Sequence, residues 1–343
     1  MPKVVLLHTG GTLMMRATVP GDSSSPLSPP SPELYGRDLA TQLPVLHRAA
    51  EVETRIVMSL DSGDMQPADW VTIARAVHDA LRESTVDGVV VIHGTDTMAY
   101  TASAVALLLG PLPKPVVFTG AQRPLAEVRT DARENLIDAV LLATLPVPEV
   151  MVAFASRALR GARATKRDAW AFDAFDTPNC APLVSLGIGV DVAPHVRPAA
   201  DVAALAPFDP RLEPSVLAVR VFPGLDPRLL SGALRAGVRG LVLEAYGTGN
   251  LPHLFGSLIP VLQEARARVP EVPVVIVSQC LRGFVDLTRY VGGAAAAAEG
   301  AISGGDMTVE AAIAKLMIGL GRFGDPGELR TFFATSIIGE RST

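Results

Sequence analysis

The sequence predicts an α/β protein, with a larger N-terminal domain built on a doubly wound, mostly parallel sheet and a smaller C-terminal α/β domain. Three observations carry this expectation. Short runs of β-branched residues are uninterrupted by polar ones, as suits strands buried on both faces of a parallel sheet. Such runs alternate with helix-length segments along the first part of the chain. The alternation stops in a proline-rich stretch and restarts beyond it, so 1–194, 195–214 and 215–343 read as a first domain, a linker and a second domain.

Taken in order, residues 4–7 give a first strand, and His8-Thr-Gly-Gly-Thr12 follows at its carboxyl end. The glycine pair lets the backbone turn sharply and approach a ligand that a Cβ would hold off. Residues 16–36 contain Ser23-Ser-Ser-Pro-Leu-Ser-Pro-Pro-Ser-Pro32, which cannot continue a helix or a central strand and reads as a surface loop or as a lid. Residues 52–58 form the next strand candidate. It leads to Asp61-Ser-Gly-Asp-Met65 and a helix opened by Pro67 and Asp69. Residues 89–92 are the clearest buried strand, and 99–109 suit a helix, which places Thr95, Asp96 and Thr97 at the turn between them. In an open α/β sheet that turn faces the crevice where ligands bind, beside a helix's unpaired N–H groups.

A strand at 115–119, a helix at 131–142 and a strand at 150–154 continue the pattern. Residues 157–166 are basic and contain glycine, and 173–182 read as loop. The second domain has strands at 216–221, 241–243 and 274–277, helices near 227–236 and 253–267, and a last helix from Thr308. The five alanines after Gly293 favour a short helical or close-packed piece.

Composition narrows the function. With 343 residues, 49% hydrophobic and 19% charged, the chain has room for two compact cores. A formal net charge of -5 gives no basic footprint for nucleic acid or an anionic membrane, so a small-molecule substrate is expected. The start, Met-Pro-Lys-Val-Val-Leu-Leu-His, lacks the apolar length and cleavage site of a signal peptide, and no run reaches ~20 apolar residues. Cys180 and Cys280 make neither a disulfide framework nor a metal-ligand spacing. A cytoplasmic location is expected.

Thr12 and Thr95 are the sharpest candidates for chemistry. Each alone also suits a turn former or a helix cap. A threonine hydroxyl is a weak nucleophile that needs a base or a charged partner, and Asp96, Ser62 and the distant Lys166 supply such groups. Lys166 would favour an alkoxide or relay a proton, although its spacing equally suits a solvated cation among Arg157, Arg160, Arg163 and Arg167. Asp64 and Asp69 read as helix-start residues. His8 and His93 read as hydrogen-bonded structural histidines, because no third metal ligand is in sequence reach, and no metal or cofactor is expected. The glycines match neither a P-loop nor a dinucleotide fingerprint. Cys280 reads as a small buried residue.

Together, Thr9-Gly-Gly-Thr-Leu13, Asp61-Ser62, His93-Gly-Thr-Asp-Thr-Met98 and Ala164-Thr-Lys166 resemble the bacterial-type L-asparaginases. Gly120-Ala-Gln-Arg123, Asp131-Ala-Arg-Glu-Asn135, Tyr246-Gly-Thr-Gly-Asn250 and Gly304-Gly-Asp-Met-Thr-Val-Glu310 extend the resemblance through nearly the whole chain. It implies an amidohydrolase that converts L-asparagine to L-aspartate and ammonia. Thr12 matches the nucleophile; Thr95, Asp96 and Lys166 match the second catalytic cluster. Asp96 would also hold the substrate's ammonium group, and Ser62, in the Asp61-Ser62 substrate-binding turn, would take its α-carboxylate. Asn250 matches a stretch that approaches the site from a neighbouring subunit, so a homodimer or homotetramer is implied. The family's loop tyrosine, which closes over substrate, has Tyr35 as its nearest counterpart, beyond the proline-rich stretch. Gly63 stands where secreted members often carry a larger polar side chain. The Asp61-Ser62 form and residues 304–310 resemble the cytoplasmic type I branch, in which the region of Gln279 and Cys280 can form an allosteric asparagine site. Two other readings stay open: the ammonia-supplying subunit of a tRNA-dependent amidotransferase, which usually carries an added N-terminal domain, and an asparagine-sensing protein with little turnover.

Overall fold

Every residue of Gly88–Ile92 is buried within a strand, as an apolar run with no polar alternation requires. The computed structural model describes residues 1–17, 27–28, 44–200, 205 and 207–342, and it divides into two units, Met1–Pro210 and Arg211–Thr343. Tyr35 lies outside the described residues.

Besides a short antiparallel pair, Arg16–Ala17 with Leu27–Ser28, the first unit has the strands β1 (Lys3–Gly10), β2 (Glu51–Leu60), β3 (Gly88–Ile92), β4 (Val116–Thr119) and β5 (Val150–Phe154). They are followed by β6 (Arg157–Arg160), β7 (Thr165–Lys166), β8 (Phe175–Asp176), β9 (Val184–Leu186) and β10 (Val190–Val192). The helices are α1 (Leu46–Ala49), α2 (Pro67–Arg82), α3 (Met98–Leu109) and α4 (Ala132–Leu142). Eight strands form one sheet in the order β10-β9-β6-β5-β4-β3-β1-β2, and β7 pairs with β8 apart from it. From β2 to β5 all neighbours are parallel, with Leu6 opposite both Thr54 and Val90. The chain therefore winds one way from β1 to β2, crosses back over β1 to β3, and continues the other way. That reversal puts the topological switch point between β1 and β3, the place where open α/β sheets bind ligands.

Local chemistry explains the helices that flank the crevice. In α3 every residue except Tyr100 is buried, which is how a helix with no polar face is accommodated. α2 opens on a capping box, the Gln66 N–H donating to Asp69 Oδ2 at 2.8 Å, with Pro67 in the first turn where its missing N–H costs nothing. Its Trp70, Ile73, Ala74, Val77 and Leu81 form the buried face.

The antiparallel end of the sheet, β6 with β9 and β10, is not foreshadowed by the sequence. The hairpin from β5 to β6 turns through Ala155 and Ser156, both at positive φ (50° and 57°), where Asn-Gly would be the usual signal. Two side chains from α4 support it: Asn135 Oδ1 accepts the Ala155 N–H at 3.3 Å, and the Ser156 hydroxyl donates to Asp138 at 3.1 Å.

The second unit holds a four-stranded parallel sheet in sequence order, β11 (Val216–Arg220), β12 (Gly240–Ala245), β13 (Val274–Ser278) and β14 (Ile302–Ser303). Its helices are α5 (Pro227–Arg235), α6 (Ile259–Arg266), α7 (Val291–Ala298), α8 (Val309–Arg322) and α9 (Pro326–Ala334). α6 starts later than the sequence suggests, because Gly256 takes a φ of 62° and Pro260 belongs to a first turn. Cys280 corrects an expectation: it is exposed rather than buried. After β13 the inward place is taken by Gln279, whose Nε2 donates to the carbonyls of Val221 and, at 2.7 Å, of Glu244. Cys280 is turned outward, its N–H held by Ser278 Oγ at 3.0 Å. Among the described residues no helix is long and apolar enough to cross a membrane.

Candidate active site

Three strand ends meet at the switch point through glycine. After β1, Gly10 and Gly11 take φ of 116° and 89°, a region that L side chains rarely adopt. A Cβ on Gly11 would lie 2.4 Å from the Gly94 nitrogen, and one on Gly94 would lie 2.4 Å from the Ser62 hydroxyl. The Thr95 turn thus abuts the main chain of the Thr12 turn and the side chain of Ser62, with no room for a further methyl group. Hydrogen bonds lock the junction. The Gly11 N–H donates to Leu60 O at 3.1 Å, the Thr9 hydroxyl to Ile92 O at 2.8 Å, and the Thr97 hydroxyl to Ser62 O at 2.8 Å.

Thr12 opens a single 3-10 turn, Thr12–Met14, that is anchored by the Leu125 N–H on Leu13 O at 2.8 Å. It is half-buried, and among the described residues its hydroxyl has no hydrogen-bond partner. Asp61 caps the turn after β2, its carboxylate accepting the Gly63 N–H at 3.0 Å, and Ser62 beside it is buried.

Thr95 is buried and its hydroxyl has two partners. It accepts from Lys166 Nζ at 2.9 Å and donates to Gln122 Oε1 at 3.1 Å. Lys166, carried by β7 and only 18% exposed, also donates to Asp96 Oδ1 at 2.6 Å. The structure therefore brings Thr95, Asp96 and Lys166 into one cluster, and sets Thr12 and Ser62 on turns that touch the turn of Thr95. Asn250 belongs to the second unit. It closes the turn after β12, where its N–H donates to Tyr246 O at 2.9 Å and a Gly292 Cβ would lie 2.6 Å from its Oδ1.

His8 and His93 stand at the two strand ends. Burial pushes the His8 imidazole down to about 3 and that of His93 to about 4, so both are neutral at pH 7. His93 Nδ1 lies 2.7 Å from Gly94 O; a carbonyl only accepts, so the proton sits on Nδ1. Among the described residues no group of three His, Cys, Asp or Glu side chains is placed to hold a metal ion.

Sequence reasoning missed the support behind Thr95. Gln122 is fixed from two sides: its N–H and that of Arg123 donate to the Asp131 carboxylate (2.9–3.1 Å), and its Nε2 donates to Ala171 O at 3.2 Å. Asn135 in turn donates to Asp131 Oδ2 at 3.1 Å and to Gly120 O at 3.0 Å. The signal available was a carboxylate and an amide four residues apart at the start of a helix, hence on one face.

Residues 3–197 match the family model "Asparaginase, N-terminal", and 215–333 match "Glutaminase/Asparaginase C-terminal domain". The chain is 39% identical to an L-asparaginase of Thermococcus kodakarensis over 340 residues, 98% of each protein. It is 37% identical to L-asparaginase 1 of Escherichia coli K12, over 98% of this chain and 97% of that one. The solved structure of the thermostable Thermococcus kodakarensis L-asparaginase superposes with a TM-score of 0.88 at 38% identity, covering 99% of both chains. The two matched domains and the full-length identity to these relatives show that the chain belongs to the asparaginase family.

Proposed function

We propose that the protein is an L-asparaginase in which Thr12 is the nucleophile and Thr95, Asp96 and Lys166 manage the protons. The observation that carries this reading is Lys166 Nζ bridging Thr95 Oγ and Asp96 Oδ1 on the turn that abuts that of Thr12. A nucleophilic hydroxyl needs a neighbour that takes its proton, and the cluster supplies one when Lys166 is the free amine, reached through the Thr95 hydroxyl. Thr12 Oγ attacks the side-chain amide carbon, its proton passes to the Thr95 hydroxyl, and the Thr95 proton passes to the Lys166 amine, which becomes an ammonium beside Asp96. The tetrahedral intermediate expels ammonia, which leaves with a proton returned from the Thr95–Lys166 pair, and an acyl-enzyme ester remains. Water then attacks the ester, Thr12 recovers its proton and L-aspartate departs. Backbone N–H groups at the Thr95 turn would hold the developing oxyanion, a preorganised donor being worth about 3 kcal/mol.

In this reading Asp61 and Ser62 form the substrate's carboxylate turn, and Asp96, with its side chain 68% exposed, takes the ammonium group. L-Glutamine, one methylene longer, is the poorer substrate by about 1–3 kcal/mol. Asn250 reaches a neighbouring copy's site in a homodimer or homotetramer, and the protein works in the cytoplasm. The deciding experiment is ammonia release from L-asparagine by the purified protein beside Thr12→Ala. A loss of roughly a thousandfold or more is expected for a nucleophile. Turnover surviving in the variant would sink the assignment of Thr12.

A further inference from the structure

Gln122 touches Thr95 but belongs to neither threonine motif. Its amide has only one orientation that fits its surroundings. Ala171 O, 3.2 Å away, can only accept, so the NH2 group faces it and Oε1 faces Thr95. Because Oε1 can only accept, the one proton of the Thr95 hydroxyl is committed to Gln122. The lone pairs of Thr95 are then left to Lys166, which donates to them at 2.9 Å. A hydroxyl in this state receives a hydrogen bond from the lysine and has no proton to pass to it. To relay a proton from Thr12 onward to Lys166, the hydroxyl must turn away from Gln122.

We propose that Gln122 is a positioning residue that sets the direction of the Thr95 hydroxyl proton, competing with Lys166 for it. This rests on the hydrolase reading given above. The competition is built into the fold, because Gln122 is not free to drift. Its backbone is clamped by Asp131, and Asn135 holds Asp131 to the carbonyl of Gly120 at the end of β4. The resting site therefore stores the proton on the Gln122 side and keeps Lys166 as a donor. Removing the acceptor lets the hydroxyl turn to a neutral lysine, so the site becomes competent at lower pH.

Charged groups near the cluster have partners of their own, Asp168 among them, whose carboxylate accepts the Trp170 and Ala171 N–H groups. Asp96, from the turn after β3, is the carboxylate on Lys166. Across the β7–β8 pair, Asp173 and Asp176 face Arg157 and Arg167. Asp131 faces the backbone N–H groups of Gln122 and Arg123, and Arg123 pairs outward with Glu127.

The test compares kcat/KM for L-asparagine against pH in the full chain, in Gln122→Met, which keeps the length and loses the acceptor, and in Gln122→Glu, which keeps an acceptor and adds a negative charge. The acidic limb is expected to move to lower pH by roughly half a unit to one unit in Gln122→Met and to higher pH in Gln122→Glu, with KM changed by less than about threefold. Melting temperatures measured alongside separate folding from positioning. Limbs that coincide with the parent's in both variants overturn the proposal, flat profiles included, as does a fall in kcat with no displaced limb. Thr12→Ala run in the same series keeps the two readings apart. If it is inactive while the Gln122 limbs stay fixed, only this inference fails; if it turns over normally, the assignment of Thr12 as nucleophile fails first.

Discussion

The turns after β1 and after β3 each present a threonine at the same crevice, yet they are built in opposite ways. The first is made by the main chain: two glycines at positive φ pressed against Leu60 and Gly94, with a threonine hydroxyl that no described residue holds. The second is made by side chains: a buried threonine whose hydroxyl is gripped by Lys166 and Gln122, the latter held in place by Asp131 and Asn135. The difference follows from the work proposed for each. A nucleophile must reorient between attack and release, so its backbone is fixed and its hydroxyl is left loose. A proton relay acts through hydrogen-bond direction, so its oxygen is held between two partners that compete for the proton.

Three experiments break or sharpen that contrast. Gly11→Ala strikes the main-chain turn. With φ at 89° and a Cβ 2.4 Å from the Gly94 nitrogen, it is expected to destabilise the protein by about 3–5 kcal/mol in urea unfolding. A cost below about 1 kcal/mol would mean the first turn is not set by its backbone.

Acid acts on the strand ends that feed both turns. The unfolded chain protonates His8 and His93 near 6.5, whereas burial holds the folded values to about 3 and about 4. The stability from this source is whole above pH 6.5 and drains as pH falls through 4 and then 3. By pH 4 the loss from His93 amounts to roughly 3 kcal/mol, and His93→Gln should remove that part of the pH dependence. An equal drop between pH 7 and pH 4 in that variant would contradict the assignment.

The smallest effect is expected at the side-chain turn. Asp131→Ala strips a charged acceptor from the N–H groups of Gln122 and Arg123 and should cost about 2 kcal/mol, read as a lower melting temperature. If stability and the Thr95 environment are both unchanged, the support behind the second turn lies elsewhere.

The parallel half of the sheet was legible because its strands are pure apolar runs. Residues 89–92 and 150–154 lie within or match the strands observed, since burial on both faces leaves a continuous signal. The antiparallel end was hidden: its strands are three or four residues long, and Ala155-Ser156 gives none of the turn chemistry that usually marks a tight hairpin. The site shows the same division. Thr12, Ser62, Thr95 and Asp96 stand at strand ends that sequence periodicity locates. Lys166 lies about seventy residues from Thr95, and β7 is only two residues long, so no periodicity connects them. Gln122 escaped for a related reason. Its role comes from a loop conformation imposed by Asp131 and Asn135, and loop conformation is not periodic.

The position of β1 in the sheet has a consequence for how the protein assembles. Val4 pairs with Val52 on one side and Gly88 on the other, so the strand that carries the first threonine is flanked by two distant segments. Non-local parallel pairing of this kind forms slowly, because loop closure precedes any gain from contact. The crevice therefore depends on two non-local pairings of one strand. A fluctuation that frees β1 parts the Thr12 turn from those of Ser62 and Thr95, which stay joined through the Thr97 hydroxyl on Ser62 O, so the site loses its nucleophile while the second threonine's cluster stays assembled.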